Sequence, residues 1–170
     1  LFKGRLNWHL SLLSWVAVWF ISLPPYGFPV LAPAAFVFPL CAITVASKRE
    51  VLVFTPLWSC LFELSTVWWI IPTIHRFGGI PLPVAVILVL LLCGYLSVFS
   101  YLFFVSVKLV SERAGVIGIC SAPFAWIVTE WARGRALGGF PWWGPGYSLS
   151  MNGHFLQNAS LTGVLGLSFL

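Results

Sequence analysis

Apolar runs of bilayer length alternate with short polar breaks along most of this chain. A span needs about 20 largely apolar residues. The first run covers residues 6–23 and ends at Pro24-Pro25, because proline has no N–H and clashes with the preceding turn. The second covers 29–46. It holds Pro33 and Pro39, which predict a kinked helix, and it leads to the polar break Ser47-Lys48-Arg49-Glu50. The third covers 51–71 and is predicted to end at Pro72, followed by a loop through His75-Arg76-Phe77-Gly78-Gly79-Ile80-Pro81. The fourth, 83–107, is unbroken aliphatic over 84–92, with the next break predicted at 108–113. The fifth covers 114–131. A long segment, 134–158, rich in Gly, Pro and Trp, follows, and a sixth run starts near Leu161. The pattern predicts an all-α polytopic helix bundle of about five membrane spans and the start of a sixth.

Composition strengthens this. Hydrophobic residues make up 60% of the 170 and charged residues 8%, against about 25% charged in soluble domains. So few charges cannot build a water-facing surface, and lipid is the solvent that suits the remainder. The 10 Trp, 15 Phe and 4 Tyr fit bilayer interfaces, where amphipathic rings settle. The chain opens at Leu1 and closes in an apolar run, which reads as a piece of a longer protein. No small-residue cleavage site follows the first run, so it reads as a retained span rather than a signal peptide.

Net charge is +5, but the Lys and Arg are scattered and form no basic patch, which argues against nucleic acid as a partner. Alternate loops are unequal. Lys3, Arg5, Lys48, Arg49, Lys108 and Arg113 share one face, and Arg76, Arg133 and Arg135 share the other. The positive-inside rule then places the N-terminus in the cytoplasm and segments 23–28, 73–82 and 134–158 outside.

Cys41, Cys60, Cys93 and Cys120 each sit in an apolar run without metal-ligand spacing and read as packing residues. His9, His75 and His154 have no nucleophile or carboxylate nearby in sequence. No metal cluster, cofactor fingerprint or catalytic constellation is visible. Four features stand out. Glu63 lies within the third run, where a charge costs roughly 2.5–3.5 kcal/mol. It reads as a helix–helix hydrogen bond with Ser65, Thr66 or a neighbouring span, or as a proton or substrate site. Glu130 and Arg133 close the fifth run three residues apart, so they share a helix face and can pair. Arg133 also suits a lipid phosphate. Phe140-Pro141-Trp142-Trp143-Gly144-Pro145-Gly146-Tyr147 forbids a regular helix and suits either a lipid-facing lip or plain interfacial anchoring. His75 with Phe77-Gly78-Gly79 completes the set.

In order along the chain, these motifs resemble those of apolipoprotein N-acyltransferase. The resemblance rests on Pro24-Pro25-Tyr26-Gly27, Trp69 and His75-x-Phe77-Gly78-Gly79-Ile80-Pro81. It continues through Tyr95-Leu96-Ser97, Ala122-Pro123, Trp126 and Thr129-Glu130-Trp131-x-Arg133-Gly134. Gly139-Phe140-Pro141-Trp142, Gly146-Tyr147-Ser148, Leu156-Gln157 and Gly163-Val164-x-Gly166-Leu167-Ser168-Phe169 complete it. The resemblance implies a bacterial inner-membrane enzyme. About eight helices would carry a periplasmic domain of the carbon–nitrogen hydrolase type, with a Glu-Lys-Cys triad beginning after residue 170. Its cysteine would take an acyl chain from a phospholipid as a thioester and pass it to the amino group of a diacylglyceryl-cysteine on an apolipoprotein. Residues 1–170 would then be the N-terminal transmembrane domain, without catalytic residues of its own. They would hold lipid through His75, Phe77, Gly78, Gly79, Glu130, Arg133, Phe140, Pro141, Trp142 and Tyr147. Glu63 departs from the family, which usually has a small or apolar residue there. The competing reading is a non-enzymatic polytopic protein, such as a transporter piece or a scaffold.

Overall fold

Ser47 begins the best-defined helix start of the chain. Its hydroxyl accepts from the Glu50 N–H at 3.2 Å, and Glu50 Oε2 accepts the Ser47 N–H at 2.9 Å. This reciprocal capping box satisfies N–H groups that have no partner inside the helix. The polar break expected between the second and third runs is therefore a helix cap.

The computed structural model describes residues 5–23, 26, 28, 31–142, 144–149 and 153–169. Side chains of residues 5–7, 154 and 155 are outside that description. Lys3, Pro24, Pro25, Gly27, Pro29, Trp143 and the side chain of His154 thus lie outside the described residues. The helices are α1 (Arg5–Ser22), α2 (Leu31–Ala35), α3 (Val37–Val45), α4 (Lys48–Val67) and α5 (Ile70–Gly78). They continue with α6 (Leu82–Ala114), α7 (Ala122–Arg133), α8 (Pro145–Leu149) and α9 (Gly153–Phe169). Among the described residues there is no strand. Two helical stretches, Lys48–Val67 and Leu82–Arg133, are long and apolar enough to cross a bilayer.

The second run is broken as its prolines predict: α2 and α3 are separated at Phe36. Other boundaries differ from the sequence reading. Pro72 does not end a helix. It sits in the first turn of α5, where a missing N–H costs nothing, and the helix continues through His75 to Gly78. Residues 108–113 are not a break either, because α6 runs unbroken for 33 residues, about 50 Å at 1.5 Å per residue. Lys108 stays helical and sends its Nζ sideways to the carbonyls of Ala46 (2.6 Å) and Ile43 (3.3 Å). The cation thereby closes the C-terminal end of α3, where unpaired carbonyls concentrate.

After α6 the chain reverses at Gly115 into a 3-10 segment, Gly115–Ser121. Gly118 lies so close to the Ser111 backbone that a Cβ would sit 2.6 Å from the Ser111 Cα. Only glycine permits that approach. α7 then returns antiparallel to α6, which places Trp126 beside Phe103 and Ala136 beside Tyr95. α8 is helical although its prolines and glycines argued against it. Pro145 opens the helix and so needs no N–H there. α9 begins at Gly153, earlier than the sixth run suggested, and breaks at Gly163 (φ 68°).

The interior is aromatic. Trp15 stacks on Phe62 at 4.3 Å, and Trp126 meets Phe36 edge-on at 4.5 Å. The Trp19 indole N–H finds Thr66 Oγ1 at 2.8 Å, the partner a buried tryptophan needs. Large aliphatic residues face outward instead: Leu57, Leu91 and Val128 are more than 60% exposed, while Glu63 is 1% exposed. Large aliphatic side chains turned outward and a carboxylate turned inward form the arrangement that lipid, not water, stabilises.

Candidate functional site

Where the ends of α4 and α7 meet the middle of α6, the bundle buries three charged side chains. Glu63 is 1% exposed, Arg133 4% and Glu130 7%. Burying ions is costly unless they are paired and hydrogen-bonded, so their partners decide what the cluster is. Glu63 Oε1 accepts from the Ser100 hydroxyl at 2.6 Å and lies 3.7 Å from Arg133 Nη1. Glu63 is therefore the helix–helix contact expected of it. The partner comes from neighbouring helices α6 and α7, not from Ser65 or Thr66, whose hydroxyls bond the Phe62 carbonyl.

The expected pairing of Glu130 with Arg133 takes a different form. Arg133 makes its ion pair across the bundle with Glu63. Glu130 Oε2 instead accepts from the Trp126 indole N–H, one turn back, at 2.9 Å. It also hydrogen-bonds the Ser168 hydroxyl on α9. Ser168 in turn accepts the backbone N–H of Gly146 at 3.0 Å. Gly144 lies directly on the Glu130 carboxylate, and a Cβ there would collide with Oε1. A third tie is backbone: Phe140 N–H donates to the Arg133 carbonyl at 3.0 Å. Residues 139–142 and 144–147 thus rest on Glu130 and Arg133, which form their floor rather than their outer face.

Above that floor, Phe140 packs against a small cluster of α4, α5 and α6 residues that includes Val67, Ile70 and Leu96. Trp142 is 45% exposed, and its ring lies 5.3 Å from that of Trp69, at the joint between α4 and α5. The Tyr95 hydroxyl fixes the start of the segment by donating to the Ala136 carbonyl at 2.8 Å. Pro141 is exposed, and Tyr147 is half-buried, with its N–H on the Gly144 carbonyl at 3.0 Å.

His75, Phe77, Gly78 and Gly79 form a second group, at the turn from α5 to α6. Gly79 adopts φ 66°, the left-handed cap that glycine takes without strain. His75 Nδ1 lies 2.8 Å from the Ile80 carbonyl, so the ring closes the turn. Phe77 is 88% exposed. Among the described residues no group of three or more His, Cys, Asp or Glu could hold a metal. What the arrangement offers chemically is an aromatic ledge over a buried ionic floor.

Sequence reasoning had no access to the role of Ser100. It is one of four serines on α6, and nothing in local spacing links it rather than the others to Glu63. Ser168 stands in the last of the ordered motifs, but its bond to Glu130 depends on how α9 returns to the bundle.

Comparison with known proteins identifies the same family. The family model of the apolipoprotein N-acyltransferase N-terminal domain matches residues 16–170. The apolipoprotein N-acyltransferase of Wigglesworthia glossinidia brevipalpis is 34% identical over 157 residues, covering 88% of this chain and 30% of that protein. That of Haemophilus influenzae is 37% identical over 142 residues, 81% of this chain and 26% of the relative. That of Vibrio cholerae is 32% identical over 130 residues, 75% and 26%. The chain thus spans about 30% or less of the length of these curated relatives.

Proposed function

Because the chain belongs to the apolipoprotein N-acyltransferase N-terminal domain family, we propose that it is the membrane domain of an acyltransferase of lipoprotein maturation. In this reading the full protein moves an acyl chain from a phospholipid to the amino group of a diacylglyceryl-cysteine on an apolipoprotein. The chemistry belongs to a periplasmic hydrolase-like domain with a Glu-Lys-Cys triad, downstream of residue 170. Residues 1–170 hold the lipids beneath it.

What carries the proposal is the family match over 16–170 together with the seating of segment 139–147. The segment is fixed from below by Arg133, Glu130 and Ser168, and it presents Trp142 beside Trp69 on the open side. Rigid amphipathic rings at a bilayer interface give acyl chains and head groups a fixed surface at small entropic cost.

The proposed topology has α1, α2 with α3, α4 with α5, α6, and the 3-10 segment with α7 as five passes. α9 begins a sixth. The N-terminus is cytoplasmic and the membrane is the bacterial inner membrane. A reporter fused after Gly79 is expected to read as periplasmic, and a cytoplasmic reading overturns the topology.

The enzyme assay compares the full gene product with residues 1–170 in phospholipid vesicles containing a diacylglyceryl peptide. Acyl transfer by the full product and none by residues 1–170 is the expected result. A full product that transfers nothing favours a scaffold or transporter instead.

A further inference from the structure

Arg133 leaves half of its guanidinium unsatisfied. Nη1 faces Glu63, while Nε and Nη2 are buried without a hydrogen-bond partner. Those two nitrogens form one edge of the planar fork, the edge that accepts a carboxylate through two parallel bonds. Burying such donors unpaired is costly. The cleft beside them is bordered by Phe99, Ser100, Trp126, Thr129, Glu130 and Arg133, and it has no space for a water molecule. Any partner for that edge must therefore be a side chain already in the cleft wall. Thr129 Oγ1 donates to the Trp126 carbonyl and Ser100 Oγ to Glu63; neither neutral oxygen accepts from Arg133, and the carboxylate in the cleft wall is Glu130. The charges facing one another here are Glu63, Glu130 and Arg133, two carboxylates to one guanidinium.

We propose that Glu130 has two seats, and that its choice between them positions the segment 139–147. In the observed seat it is held by Trp126 Nε1 and Ser168, and it fills the space under Gly144. In the second seat it takes the Nε/Nη2 edge of Arg133. Moving there empties the space beneath Gly144 and takes away the acceptor of the Ser168 hydroxyl, whose oxygen anchors Gly146. The segment then settles toward the bundle and carries the Trp142 ledge with it. Glu63 biases the choice. While it shares the Arg133 charge, the pull on Glu130 is weak and the observed seat wins. Glu130 is thus a positioning residue, and Glu63 sets its balance. The functional weight of the ledge rests on the reading given under Proposed function; the two seats do not.

The test uses the full protein in lipid nanodiscs with Cys41, Cys60, Cys93, Cys120 and every cysteine beyond residue 170 replaced. Spin labels at Pro141→Cys on the segment and Leu91→Cys on α6 report the distance between them. Leu91 is 67% exposed, so its label meets no packed neighbour. Glu63→Gln is expected to enrich a second distance population at least about tenfold, the scale of relocating one charge-assisted hydrogen bond. Trp126→Phe, which deletes the donor holding the observed seat, should enrich the same population. Adding Arg133→Met to either variant should abolish it. Folding of each variant is checked by its melting curve, and the two single variants serve as independent routes. Distance distributions unchanged from the parent in both overturn the proposal. The readout is a distance, so failure of the acyl-transfer reading and failure of this one are separable.

Discussion

The Glu63 carboxylate of α4 and the Arg133 guanidinium of α7 lie 3.7 Å apart, with exposures of 1% and 4%. Each is the ion that makes burial of the other tolerable, and α6 contributes Ser100 between them. Three helices are therefore tied at one polar point inside an otherwise apolar bundle.

Removing one member should cost more than removing both. Glu63→Ala and Arg133→Ala are each expected to destabilise by about 3–5 kcal/mol, because each strands a buried charge. The double variant Glu63→Leu with Arg133→Met should recover most of that loss. Unfolding in detergent of the double variant and of Glu63→Leu and Arg133→Met alone, arranged as a double-mutant cycle, measures the coupling. A double variant whose loss equals the sum of the two single losses would mean that the pair is not coupled.

Glycines along the chain should respond with opposite signs. Gly144→Ala drives a Cβ into the Glu130 carboxylate and should cost about 1–3 kcal/mol. Gly94 is mid-helix, and a Cβ added there would meet nothing within 4 Å, so Gly94→Ala should stabilise by about 0.5–1 kcal/mol. Melting temperatures of the two variants, compared side by side, check the contrast.

Trp142→Ala separates ledge from fold. The ring is 45% exposed and packs chiefly with Trp69, so stability should fall by only about 1 kcal/mol. In the full protein, KM for phospholipid should rise several-fold with a smaller change in kcat. Arg133→Ala cannot give that split. Its buried place makes folding the first casualty. An unchanged KM for Trp142→Ala would remove the ledge from the proposed lipid site.

Lys108→Met tests how α3 is closed. The variant keeps the apolar stem but loses the donor to the Ala46 and Ile43 carbonyls. A loss of about 1–2 kcal/mol is expected, and Lys108→Arg should recover part of it. Thermal unfolding of both variants provides the measurement.

The sequence by itself determined the class of molecule and most of its helices. Apolar run length and the scarcity of charge are local quantities, and they placed α1, α2 with α3, α4, and the cores of α6 and α7. Local pattern also marked Glu63, Glu130, Arg133 and Trp142 as unusual, and the ordered motifs pointed to the family. Where local rules failed, the cause was tertiary. Pro72 stays helical because it falls in a first turn whose position depends on the joint at Trp68-Trp69. Lys108 stays helical because its ammonium reaches carbonyls on α3, far away in sequence. The partners of the marked residues were decided only by the fold. A helix face tells which residues can meet a neighbour, not which neighbour is there. The α6–α7 reversal at Gly115 and the return of α9 set Arg133 against Glu63 and Ser168 against Glu130, and so turned an expected outer face into a floor.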